Sequence, residues 1–236
     1  MKKFLICTTQ VCLLFSFISC NNSKKTDNEI KAKIVKENSS MPVLLTDFEK
    51  TANKLTLPYD GNVFAFTDEN ENPKGTSTIR ELVRVNDSTT ALNIQFEKGK
   101  GAKNSAGYLK ISGDVTSVCP YGFVGCGINF KQDKEPIDIS RFKGIKFWAR
   151  GSEDNYVVRI ESPLIKDYSF PQCKFFVDNK WEEYIIYFEN FRQPSWKSAS
   201  VKLEEVLKSV ISFQWQTDSR PIKNYLLCLD NIEFIK

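Results

Sequence analysis

Residues 141–151 read RFKGIKFWARG. From Gly144 to Arg150 the stretch alternates: Ile145, Phe147 and Ala149 fall on one side of an extended chain, Lys146, Trp148 and Arg150 on the other. A period of two with one apolar side predicts a strand half-buried in a sheet. Working outward, the pattern recurs. In YVVRIES (156–162), Val158 and Ile160 oppose Val157, Arg159 and Glu161; in SVISFQWQ (209–216), Ile211, Phe213 and Trp215 oppose Ser212, Gln214 and Gln216.

Further strands are expected at 43–49, 78–86, 90–97, 107–113, 123–130, 173–177, 181–188 and 225–235, giving about eleven short strands separated by turn residues. SVKLEEVLKS (200–209) alone has a helical pattern. No strand–helix–strand rhythm and no internal repeat is present. These features predict an all-β sandwich or barrel with one short helix, and they disfavour an α/β enzyme fold.

The first twenty residues differ from the body. Lys2 and Lys3 precede an apolar run that ends at Ser19 and Cys20. The run is short for a transmembrane helix and has the form of an export signal. FISC (17–20) resembles the lipobox of bacterial lipoproteins, with Phe17 where leucine is usual, so Cys20 is the expected lipidation site. The plain alternative is a secretory signal with an incidental cysteine. The polar stretch 21–41 reads as a flexible tether, and 42–236 as one domain. Together these predict attachment to a lipid membrane of the bacterial cell envelope, the outer membrane in particular, through acylated Cys20.

The chain has 33 basic and 29 acidic residues, but seven of those cations and only three of those acids lie in residues 1–40. Residues 41–236 therefore hold 26 of each, and a formally neutral exported domain is not expected to bind nucleic acid. Histidine is absent altogether. That excludes Ser-His-Asp and Cys-His nucleophilic systems and histidine-ligated metals. A paired-carboxylate glycosidase remains formally open, yet Glu161 has no evident partner. GKGAKNSAG (99–107) lacks the context of a phosphate loop. No catalytic signature emerges, and the expectation is a protein that is not an enzyme.

Four cysteines belong to the body: Cys119, Cys126, Cys173 and Cys228. CPYGFVGC (119–126) sets Cys119 and Cys126 at the ends of a loop as a candidate disulfide; four cysteines allow three complete pairings, and buried free thiols are the alternative.

IDISRFKGIKFWARG (137–151), WEEYIIYFENFRQPSW (181–196) and LCLDNIEFI (227–235), with LLTDFE (44–49) opening the domain, resemble the galactose-binding-like jelly-roll β-sandwiches. Within that group the chain is similar to family 11 carbohydrate-binding modules and to the domain of complex I intermediate-associated protein 30, over roughly residues 43–236. The resemblance implies that the three alternating strands are neighbours. Their polar sides would then form one patch of Trp148, Arg150, Arg159, Glu161, Gln214 and Gln216, suited to the C–H faces and hydroxyls of a polysaccharide or oligosaccharide. Tyr121 and Phe123 would extend it. The plain alternative is a solvated sheet face with cross-strand charge pairs.

Among the other tryptophans, Trp181 is expected as a structural plug, Trp215 in the core and Trp196 in a loop. The resemblance also implies a structural Ca2+ held by Asp47, Glu49 and Asp230 near the first and last strands. Expected partners are a glycan and, beside it, glycan-processing or transport proteins; the runner-up function is an assembly scaffold, and a glycoside hydrolase or its accessory ranks third.

Overall fold

The computed structural model describes residues 43–51, 54–55, 61–80, 82–85, 88–96 and 100–236. The expected signal (1–20), Cys20 and the tether (21–41) lie outside the described residues.

Among the described residues fifteen strands follow one another: β1 Val43–Thr46, β2 Lys50–Thr51, β3 Lys54–Leu55, β4 Asn62–Thr67, β5 Thr78–Ile79, β6 Leu82–Val85, β7 Ser88–Phe96 and β8 Gly107–Val115. Then come β9 Val124–Asn129, β10 Gly144–Gly151, β11 Asp154–Glu161, β12 Gln172–Val177 and β13 Glu182–Tyr187. A five-residue helix α1, Leu203–Leu207, precedes β14 Ser212–Thr217 and β15 Ile222–Ile235.

Among the described residues β2 and β3 pair separately with each other, and the other strands form two large antiparallel sheets. One has eight strands in the order β13-β10-β15-β8-β7-β6, with β1 also on β15 and β5 also on β8; the other has five, in the order β12-β11-β14-β9-β4. Alternation decides what lies between them. Ile145, Phe147 and Ala149 from β10 meet Val158 and Ile160 from β11 and Phe213 and Trp215 from β14, all fully buried. Phe147 meets Trp215 edge-on at 5.6 Å, and Phe234 stacks on Phe142 at 4.3 Å. Aromatic pairs in these offset and edge-on arrangements add to what area burial alone contributes. The all-β jelly-roll sandwich with one short helix is the observed fold.

Two local differences from the sequence reading matter. Asn62–Thr67 forms β4, an edge strand the alternation did not reveal, and the strand expected at 78–86 is broken at Arg80 into β5 and β6. Near its end β15 bulges: Lys146 pairs with Glu233 but Trp148 with Asp230. The extra residue is Asn231, whose φ of 46° lies in the left-handed region that asparagine tolerates.

The most consequential correction concerns neighbours. β10 pairs with β13 and β15, whereas β11 pairs with β12 and β14 in the opposite sheet. The two-residue turn between β10 and β11 crosses from one sheet to the other. Trp148 and Arg150 therefore lie on the outer face of the eight-stranded sheet, across the core from Arg159, Glu161, Gln214 and Gln216. The expected single patch does not exist.

The expected bridge is also corrected: Cys119, Cys126, Cys173 and Cys228 are all buried free thiols. Cys126 points into the core from the middle of β9, while Cys119 sits in a turn closed by Gly122 N donating to its carbonyl at 3.0 Å.

Candidate functional site

On the outer face of the five-stranded sheet, β11 and β14 pair so that Arg159 lies opposite Gln214 and Glu161 opposite Ser212. Arg159 is 9% exposed, and Gln214 and Gln216 are each 7% exposed, so the row forms a floor largely covered by its neighbours. Buried polar groups must be hydrogen-bonded, and most of these are. Arg159 Nη1 donates to Gln216 Oε1 at 2.8 Å, its Nη2 donates to the Tyr168 carbonyl, and the guanidinium lies 5.1 Å from the Phe170 ring centre. Gln214 Nε2 donates to Glu161 Oε2 at 2.9 Å, as does the Ser212 hydroxyl. Burial lowers the Arg159 pKa to about 10, opposed by the charge of Glu161. Arg159 Nε has no partner among the described residues.

Beside this polar floor lies an aromatic flank. Phe64 and Phe66 project from β4 with ring centres 5.9 Å apart, and Phe123 adds a third ring 5.9 Å from Phe66. All three are half-buried. Their positions depend on Gly125 and Gly127 in the adjacent β9, where a Cβ would fall 2.4 Å from the Phe66 ring and 2.4 Å from the Phe64 ring, respectively. Only glycine lets the rings lie across the strand so closely. Tyr121, 44% exposed, stands in the loop that delivers Phe123, with its hydroxyl donating to the Asn72 carbonyl at 3.0 Å. Phe64 and Phe66 were missed by sequence reasoning; the signal available was the pair of glycines two apart in FVGCGINF (123–130), which empties one face of a strand.

The outer face of the eight-stranded sheet is built differently. Trp148 Nε1 donates to Glu183 Oε1 at 3.2 Å, and Lys103 Nζ lies 5.1 Å from its ring centre. The Arg150 guanidinium lies 5.6 Å from the Tyr108 ring and 5.0 Å from Trp181, two rings that themselves meet edge-on at 5.8 Å. Trp181 Nε1 donates to the Lys100 carbonyl at 3.0 Å. Cations already lie against these aromatic rings, so the cluster holds the 100–106 loop to the sheet. On Trp148, Lys103 takes up one face of the indole and Glu183 its N–H.

The carboxylates expected to hold calcium are turned to other donors. Asp230 Oδ2 accepts from Ala102 N and Ser105 Oγ, both at 2.8 Å, and its Oδ1 accepts from Asn231 N at 2.7 Å. Glu49 Oε1 accepts from Ala106 N at 2.8 Å and Gly107 N at 2.7 Å; Asp47 Oδ1 accepts from Glu49 N at 3.0 Å. Burial pushes the Asp230 carboxyl up to about 6 against the pull of these hydrogen bonds, with the Glu49 charge adding to the rise. Among the described residues no group of three or more His, Cys, Asp or Glu is arranged to hold a metal ion. Carboxylates surrounded by N–H donors do not fit a cation cage.

The chain is thus a β-sandwich with polar groups and aromatic rings side by side on the outer face of its five-stranded sheet. The sequence profile of complex I intermediate-associated protein 30 (CIA30) matches residues 86–214, more than half of the chain. The chain belongs to that family.

Among solved structures, it is similar to a family 11 carbohydrate-binding module from Clostridium thermocellum in complex with a β-1,3-1,4-mixed-linked tetrasaccharide: TM-score 0.53, 17% identity, 84% of this chain and 97% of that one. The family 11 module of the cellulosomal cellulase Lic26A-Cel5E of the same organism gives a TM-score of 0.51 at 15% identity, over 84% and 96% of the two chains. A family 30 carbohydrate-binding module gives 0.51 at 12% identity, over 84% and 99%. At these identities the likeness is one of fold. No curated protein matches the chain.

Proposed function

We propose that the protein is a lipid-anchored envelope lipoprotein whose sandwich is a non-catalytic polysaccharide-binding module, with its site on the outer face of the five-stranded sheet. The observation that carries this reading is the pairing of Arg159 with Gln216 and of Glu161 with Gln214 beside the Phe64–Phe66–Phe123 flank. Planar polar groups held in fixed orientation offer donors and acceptors to sugar hydroxyls, and the rings offer apolar faces to C–H edges. The structural neighbours named as carbohydrate-binding modules support the same reading. Glu161 is engaged as an acceptor by Ser212 and Gln214, a fixed orientation that suits binding. The export-signal pattern ending at Cys20 supports the anchor.

The test is affinity electrophoresis of the protein through gels containing a panel of neutral and acidic polysaccharides. Retardation by one class, undiminished in Trp148→Ala, is the expected result. Mobility unchanged by every polysaccharide would contradict it.

Membership of the CIA30 family favours a second reading, an assembly scaffold that binds protein. It predicts co-purification of a stoichiometric protein partner that Phe66→Ala or Gln214→Ala releases, with no glycan retardation.

A further inference from the structure

The strand registers sort the loops into two ends. Gly144 pairs with both Tyr187 and Ile235, and Val43 pairs with Phe234. In the other sheet Glu161 pairs with Ser212, Ser212 with Asn129, and Asn129 with Asn62. Lys143 N donates to the Ile235 carbonyl, and Gln172 bridges to Arg192, which joins these positions at one end. That end carries the described loops 130–143, 162–171 and 188–211 with Lys236, and it is where β1 begins. The opposite end carries 68–77, 116–123, 152–153, 178–181 and 218–221.

The two ends differ in charge. The β1 end holds ten Lys and Arg against seven Asp and Glu; the far end holds three against six. Both ends expose apolar groups: Val118 and Tyr121 at the far end, and at the β1 end Trp196, 60% exposed, Tyr168, 71%, and Leu164, 46%, these last interspersed with exposed Lys166 and Lys202. These tips are not loose. Asp167 clasps the two loops that bear them, accepting from Ser169 N at 3.1 Å, from Ser198 N at 2.6 Å and from both serine hydroxyls. Gln193 Nε2 ties the same loops by donating to the Ser169 carbonyl at 3.2 Å.

We infer that this end docks on the surface of an anionic lipid bilayer, with Trp196, Tyr168 and Leu164 at headgroup depth and the lysines against lipid phosphates. Tryptophan and tyrosine favour that depth because their rings are apolar with one polar edge, and each lysine gains from a negative surface potential. The argument rests on the anchored reading of Cys20, since the chain reaches β1 at this same end. An anchor alone would leave the domain free to tumble; docking would hold the strands upright and turn the polar and aromatic face sideways, open to a polymer.

The test reconstitutes full-length protein, purified from membranes, into phosphatidylcholine vesicles with or without phosphatidylglycerol and with brominated acyl chains. Tryptophan fluorescence should be quenched when phosphatidylglycerol is present, and the quenched component should vanish in Trp196→Phe. Lys166→Gln and Lys202→Gln should each weaken the docked population about fivefold, and high salt should weaken it too. Protein that floats with the vesicles but gives equal quenching in wild type and Trp196→Phe would overturn docking while leaving the anchor intact. Protein that does not float with anionic vesicles at low salt would overturn both.

Discussion

Arg159 and Gln216 are joined across β11 and β14 by a 2.8 Å hydrogen bond in which the guanidinium donates to the amide oxygen. The bond fixes two planar groups side by side on a sheet face that Trp148 does not share. Its two Nη donors are met, by Gln216 and by the Tyr168 carbonyl, which offsets part of the cost of burying the cation. Arg159→Ala leaves two acceptors without donors and is expected to cost about 1–3 kcal/mol. Arg159→Lys should recover little of it, since an ammonium cannot reproduce the forked geometry. Urea denaturation of the two variants checks this: a midpoint unchanged from wild type would contradict it.

Gly127 and Gly125 lie beneath the Phe64 and Phe66 rings, with no room for a methyl group. At Gly127 the Phe213 carbonyl, 3.0 Å from the added Cβ, is backbone and cannot swing away. Gly127→Ala should therefore destabilise the fold by about 1–3 kcal/mol, as overpacking does. Calorimetry should record the lowered melting temperature, and near-ultraviolet dichroism the displaced Phe64 ring. A neutral substitution would mean that the rings do not lie where described.

Asp230 gives a pH dependence whose direction follows from burial. Its folded pKa of about 6 lies above the ordinary carboxylate value of 3.8. The folded state therefore binds this proton more tightly than the unfolded chain. The resulting stabilisation is complete below the unfolded value and is lost as pH rises through about 6. Asp230→Asn imitates the protonated group at every pH. Relative to the variant, wild type should lose on the order of 1–3 kcal/mol between pH 4 and 8. Paired thermal melts across that range test it; a constant difference between the two proteins would refute it.

Thiol chemistry offers a fourth check. Burial pushes Cys126 up to about 12 and Cys173 and Cys228 each to about 11. The thiolate is the reactive form, so these three sites should be inert at pH 8 in the native protein. Without reductant, alkylation followed by peptide mass mapping should leave Cys119, Cys126, Cys173 and Cys228 unmodified in native protein and label all four after denaturation. A Cys119–Cys126 peptide pair surviving denaturation would restore the disulfide.

What was legible in the chain, and what was not, follows from what alternation encodes. In GIKFWAR (144–150) and YVVRIES (156–162) the period of two identified correctly which side chains enter the core, because one side of each strand is apolar. Alternation assigns a face within a strand; it carries no information about which sheet the strand joins. The turn at Ser152 and Glu153 crosses between sheets, and that step separated Trp148 from Arg159.

NVFAFT (62–67) escaped notice for the converse reason. Val63 and Ala65 face the core while Phe64 and Phe66 face outward, so both sides are apolar and the alternation disappears. Trp148 looked like a sugar platform because sequence displays an aromatic residue without its neighbours. Lys103 and Glu183, which occupy its ring and its N–H, arrive from a loop and a strand 45 and 35 residues away.

The most direct test of the central claim is the dissociation constant for a retained polysaccharide, measured by titration calorimetry on wild type, Phe66→Ala, Gln214→Ala and Trp148→Ala. A site on the five-stranded sheet predicts that Phe66→Ala and Gln214→Ala weaken binding about tenfold or more, while Trp148→Ala binds as wild type does. Loss of binding in Trp148→Ala with Phe66→Ala and Gln214→Ala unaffected would place the site on the opposite face and contradict the account.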